Sequence, residues 1–228
     1  MLRTFFFAAL AAALVDGGTQ TGAVRQRRSV LSGREKPVIS VRVYNYAKFP
    51  NNVLARAEAE AARILGHAGV ELNWSNCRLS PEPQRFLSCE PVIGPWVGAR
   101  LISESMADKC QLKRAAFGVA EPAGPEGGGF AGMVNLVPSR VAEVYSRLDA
   151  AVALGVTIAH ELGHLFGQSH SAAGIMRARW GPRELDLIDG RSLHFTAQQS
   201  ASIREAVALR LASAGTTPSA QAAETRRP

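Results

Sequence analysis

From Leu148 to Phe166 the chain is apolar on nearly every face of a helical projection. Val152, Leu154, Val156, Ile158 and Leu162 are spread round it, yet the same stretch carries His160, Glu161 and His164. A helix of that kind has to be buried in its domain. Ionisable groups buried on it are costly unless something compensates them. Any fold this chain adopts must therefore enclose the helix and give its two histidines and its glutamate a partner.

The spacing names the partner. His160 and His164 lie four residues apart, so they project from one face, one turn above the other, within reach of a single ion. Neutral imidazole is a preferred ligand for zinc, and a catalytic zinc takes three protein ligands and leaves a position open. In the string HELGHLFGQSH, Gly167 can break the helix in a left-handed conformation closed to most residues, which turns the chain so that His170 returns to the metal. Glu161, beside the first ligand, is placed to reach a water on the ion. It is the candidate general base, taking the proton of the attacking water and passing it to the leaving amine. One zinc ion is expected; calcium sites are left open by the sequence.

The string matches the pattern His-Glu-x-x-His-x-x-Gly-x-x-His at every fixed position, a coincidence with a chance frequency on the order of one in a hundred thousand for such a composition. Met176 follows six residues after His170, in Ala173-Gly174-Ile175-Met176. Together these resemble the metzincin zinc metallopeptidases, Met176 standing where that family has its methionine turn. HELGH and Ser171 look most like the matrixins. The interval from His170 to Met176 is short for that group, and no pro-segment with a cysteine switch is seen. Ala178 stands where astacins and serralysins carry a tyrosine, which leaves the oxyanion to zinc and other donors, with Arg177 as a candidate.

The resemblance implies an α/β (α+β) zincin fold: a twisted, mostly parallel sheet with one antiparallel edge strand, three main helices and a small C-terminal subdomain. It also implies hydrolysis of peptide or protein substrates. It places the edge strand bordering the cleft at Gly132, Met133, Val134, Asn135 and Leu136, where substrate would add as an extended strand.

Along the chain, Val38 to Tyr46 alternates as a strand, the stretch from Asn51 to Gly66 has helical spacing, and Val70 to Trp74 reads as a second strand. A parallel crossover joins the two strands. The region from Asn76 to Pro95 has no period and reads as a surface excursion. Leu101 to Ser103 starts a further strand, and Phe117 to Ala120 and Gly132 to Val137 are two strands joined by a glycine-rich loop. Thr196 and Gln199 form a capping box opening a last helix. The folded domain is expected over 37–212, with its cleft between 37–167 and 168–212, and a disordered tail over 213–228.

The first residues, a charged start and an apolar run from Phe5 to Val15, have signal-peptide proportions and are too short to span a bilayer. Residues 1–23 are read as a signal peptide and 24–36 as a short basic linker. The expected product is an exported monomer, extracellular or periplasmic, with no membrane span once the signal is removed. Three cysteines, Cys77, Cys89 and Cys110, suit export with one disulfide and one thiol left over. Proximity favours Cys77 with Cys89, and the other pairings stay open.

The excess of 26 Lys and Arg over 19 Asp and Glu gives a net charge of +7. The basic residues are scattered, with no recognition module or basic stripe, so no nucleic-acid partner is expected. His67 and His194 read as boundary residues. Two further readings exist: an exported zinc-containing binding module without turnover, and a polyanion-binding protein without zinc. Glu161 speaks against the former, because a structural site needs no base and is usually closed by four ligands.

Overall fold

The computed structural model describes residues 36–77, 96–122 and 132–214. The segments read as signal peptide and linker up to Glu35, the tail beyond Ala214, and most of the Asn76 to Pro95 excursion lie outside them; Ser213 and Ala214, read as the start of the tail, instead belong to the last helix. The described residues fall in one compact unit.

The sheet has five strands: β1 (Val38–Asn45), β2 (Glu71–Cys77), β3 (Trp96–Leu101), β4 (Gly118–Glu121) and β5 (Met133–Leu136). Their order is β2-β1-β3-β5-β4, with every pair parallel except β4 with β5. The helices are α1 (Asn51–His67), α2 (Glu104–Lys109), α3 (Pro138–Val144), α4 (Ala150–Leu165), α5 (Pro182–Asp189) and α6 (Ala197–Ala214). The expected α/β architecture is present: a mostly parallel sheet, an antiparallel edge strand, and long helices α1, α4 and α6.

β1, α1 and β2 form the parallel crossover that the alternation and the helical spacing predict. β2 runs three residues beyond Trp74 because its pairing with β1 continues from Val38 opposite Glu71 to Tyr44 opposite Cys77. α1 and α4 pack on each other, α1 against β2 and α4 against β4 and β5. Leu154, Ile158 and Leu162 of α4 are all but inaccessible, each contributing about 2 kcal/mol of burial. Asp149 opens α4, its carboxylate accepting from the N–H groups of Ala151 (2.9 Å) and Val152 (3.2 Å). The capping box at Thr196 forms, Thr196 N–H donating to Gln199 Oε1 (2.8 Å) and Gln199 N–H to Thr196 Oγ1 (3.2 Å).

Two sequence expectations are corrected. The third strand ends at Leu101 instead of starting there; Gly98 and Ala99 dilute the apolar alternation that would have revealed it, and Gly98 is the space into which the Met133 side chain fits. The strand from Gly132 to Leu136 is not at the edge. Its Met133 to Leu136 backbone is paired to β3 on one side and to β4 on the other, and the outer position belongs to β4. Cys77 is disulfide-bonded and Cys110 is free; Cys89 is outside the described residues. Among the described residues no helix is long and apolar enough to cross a membrane.

Candidate functional site

α4 carries His160, Glu161 and His164 and ends in a turn that the sequence dictates. Gly167 has φ +84°, its N–H donates to the carbonyl of His164 (3.0 Å), and Gln168 N–H reaches that of Gly163 (2.9 Å). This is the left-handed glycine termination that satisfies the last helical carbonyls. It sends the chain back so that His170 meets the two helical histidines.

His160 Nε2 lies 3.2 Å from His164 Nε2, which lies 3.3 Å from His170 Nε2, and the three ligand atoms are all within 4.8 Å of one another. His160 Nδ1 stands 2.8 Å from the Ile175 carbonyl and His164 Nδ1 2.6 Å from that of Gln168. A carbonyl oxygen only accepts, so each Nδ1 carries the proton. Burial pushes His160 down to about 4, against the opposing pull of the Ile175 carbonyl, and burial also lowers His164, so both rings are neutral. Their Nε2 atoms are then bare lone pairs facing each other with no proton between them, an arrangement that calls for a cation. Two nitrogens bound tetrahedrally to zinc at ~2.05 Å stand about 3.3 Å apart, which is the spacing of His164 Nε2 to each of its two neighbours, while the His160–His170 pair is wider, within 4.8 Å. The donor set and its carbonyl anchors fit a zinc ion.

Beneath the histidines, Met176 is fully buried. A Cβ at Gly163 would come within 2.7 Å of its sulfur and 2.9 Å of the Phe195 ring, so this glycine is what lets Met176 and Phe195 close against the helix. Ser171 N–H donates to the Met176 carbonyl (2.9 Å), joining the segment after His170 to the methionine.

Glu161 is 6% exposed, and burial raises its carboxyl to about 7. It rests against Gly118 of β4: a Cβ there would stand 2.8 Å from Glu161 Cγ and 2.9 Å from Cδ. Gly118 reads in the sequence as one more strand residue; only the sheet order brings it to the site. On the reading of Glu161 as general base, we expect Gly118→Ala to leave zinc affinity unchanged and to lower kcat about 10- to 100-fold, because a small displacement of a catalytic group costs that much. Steady-state kinetics beside zinc content checks this, and unchanged kcat would show that Glu161 has room to spare.

A cavity of about 510 Å³ opens beside the histidines, walled by His160, Glu161, His170, Thr157, Phe117, Tyr145 and Trp180 among others. Tyr145 packs between Phe117 and Trp180, with ring centroids 5.2 and 5.6 Å away. Trp180 Nε1–H donates to the Ile175 carbonyl (3.1 Å), the same oxygen that anchors His160. Arg177 lines the cavity too, but its Nη1 donates to Glu184 Oε1 at 3.1 Å. His67 and His194 contact each other at 4.4 Å between centroids and take no part in the group.

Sequence reasoning finds Gln199 only as a helix cap. Its amide nitrogen also donates to Ser171 Oγ (2.8 Å) and to the Ala173 carbonyl (3.2 Å), fastening the segment that carries His170. His170 is exposed, and no carbonyl anchor to its Nδ1 is found among the described residues, so this fastening matters most for the third ligand. Gln199→Met should weaken zinc binding about 10-fold while the metal-free protein keeps its melting temperature within a few degrees. Competition with a chromophoric chelator measures the first and thermal unfolding the second; equal zinc affinity would refute the coupling.

No family model matches this chain. No curated protein matches it either. Among solved structures, archaemetzincin from Methanopyrus kandleri is similar over 76% of this chain and 96% of its own, with 15% identity and a TM-score of 0.44. A zinc-dependent peptidase from Methanocorpusculum labreanum is similar over 72% of this chain and 99% of its own, with 19% identity and a TM-score of 0.42. Likeness at these values assigns neither activity nor family to this chain.

Proposed function

We propose that this chain is a zinc-dependent endopeptidase of the metzincin type, acting outside the cytoplasm. The observation that carries the proposal is the pair of bare, carbonyl-anchored Nε2 atoms of His160 and His164 facing His170, next to a buried carboxylate and an open cavity. His160, His164 and His170 would hold the ion. When bound, zinc supplies the Lewis acidity that lowers the pKa of water toward neutrality and polarises a carbonyl.

The chain's own residues do the rest. Glu161, its carboxyl raised to about 7 by burial, can take a proton on a carboxylate oxygen and give it up again near neutral pH, as a group serving first as base and then as acid requires. Gly118 keeps the space that its carboxylate occupies. The carbonyls of Ile175 and Gln168 fix the ring orientations of two ligands. Trp180 and Tyr145 line the cavity with aromatic surface. Substrate would pair with the edge of β4 that no strand covers among the described residues, the strand that holds Gly118 at the site, and not with β5. Arg177, committed to Glu184, is a less available oxyanion donor than its position in sequence implies. The disulfide at Cys77 suits an oxidising compartment, in keeping with the signal-like start.

The test is hydrolysis of peptides blocked at both ends, followed by mass spectrometry. Internal cleavage by the zinc-loaded chain supports an endopeptidase. Cleavage only of peptides with a free end would replace that reading with an exopeptidase.

A further inference from the structure

The cavity beside the histidines has largely apolar walls and basic residues in its lining. Apart from Glu161, the charged residues that line it are Lys113, Arg177 and Arg179. Arg177 is paired with Glu184 at 3.1 Å. Lys113 and Arg179 are exposed and form no ion pair among the described residues. They stand on separate segments: Lys113 in the stretch between α2 and the edge strand β4, Arg179 in the stretch between Met176 and α5.

The Lys113 side is held rigidly. The buried Arg140 guanidinium donates from Nη1 to the carbonyls of Lys113 (2.9 Å) and Ala116 (3.0 Å), while its Nε and Nη2 bind the Glu104 carboxylate at 3.0 and 2.9 Å. On the other segment, Trp180 is held by its bond to the Ile175 carbonyl. Between them Phe117, Tyr145 and Trp180 make a continuous aromatic surface, and Val144, 58% exposed, adds an apolar edge. At about 510 Å³ the cavity is of the size that takes a bulky side chain.

We propose that this cleft selects acidic peptides, seating a large apolar side chain against Phe117, Tyr145 and Trp180 and favouring a carboxylate beside it through the positive charge of Lys113 and Arg179. The inference rests on the peptidase reading and adds the class of substrate. Two exposed cations in the lining of an apolar pocket, unpaired among the described residues, attract a carboxylate and repel a lysine in the same place. Each exposed pair contributes only a few-fold, so the two together give about 10-fold, and salt weakens them.

The experiment uses the zinc-loaded full chain and matched fluorescent peptides. They carry Phe or Ala at one position and Glu, Gln or Lys beside it, and are read both by cleavage and by fluorescence anisotropy at ~50 mM and ~500 mM salt. Phe should exceed Ala, and Glu should exceed Lys about 10-fold or more at low salt, with the difference shrinking at high salt. In the double variant Lys113→Glu with Arg179→Glu, whose changed side chains are exposed and whose fold is checked by thermal unfolding, the order of Glu and Lys should invert. No ranking by charge, or a ranking unchanged in the double variant, overturns the inference. Peptides bound in the expected order but never cut would sink the peptidase reading and leave the acidic preference standing; peptides cut without charge ranking would do the reverse. Peptides neither bound nor cut would remove both.

Discussion

Glu161→Gln is expected to retain zinc and to lose peptide hydrolysis by about 10²- to 10⁴-fold in kcat, the range over which a positioned general base contributes. The substitution keeps the shape of the side chain, so the close packing against Gly118 persists. It also replaces a carboxyl that burial already disfavours as a charge, so the fold should not suffer. KM should change little, because the group acts on the proton and not on the bulk of the substrate. Steady-state kinetics beside metal analysis decides the matter. A fully active, zinc-loaded Glu161→Gln protein would remove Glu161 from the chemistry.

His160→Ala is expected to lose both metal and activity. Zinc held by a protein site is bound by ~12 kcal/mol, so forfeiting one of three ligands costs about 4 kcal/mol, a factor on the order of 10³ in affinity. The effect should exceed that of His170→Ala. His160 is 7% exposed and oriented by the Ile175 carbonyl, whereas His170 is exposed and depends on the loop fastened by Gln199. Chelator competition measures both variants, and equal zinc affinity of the His160→Ala protein and the parent would exclude these histidines as the site.

Features local in sequence were legible and those set by sheet order were not. α4 was visible because an apolar run of its length can only be an enclosed helix. The convergence of His160, His164 and His170 followed from a four-residue helical spacing plus a glycine able to take positive φ, which Gly167 does. Gly118 and Gln199 had no signal for their roles, since each acts on a residue more than 25 positions away. The identity of the edge strand was hidden for the same reason. β4 and β5 are both short and apolar, and nothing local says that the later strand inserts beside β3 and leaves the earlier one outside. The short helices α3 and α5, each opened by a proline, Pro138 and Pro182, are too brief to establish a period. They matter because α3 and its end supply Val144 and Tyr145 to the cavity.

The most direct measurement is digestion of a mixed peptide library by the full chain in three states: loaded with one equivalent of zinc, stripped by a chelator, and reloaded. The proposed function predicts new internal termini with the loaded protein, none with the stripped protein, and the same set of termini on reloading. A chain that binds one zinc tightly at these histidines and leaves the library intact in all three states would contradict the account, and would make the zinc a fixture of a binding module.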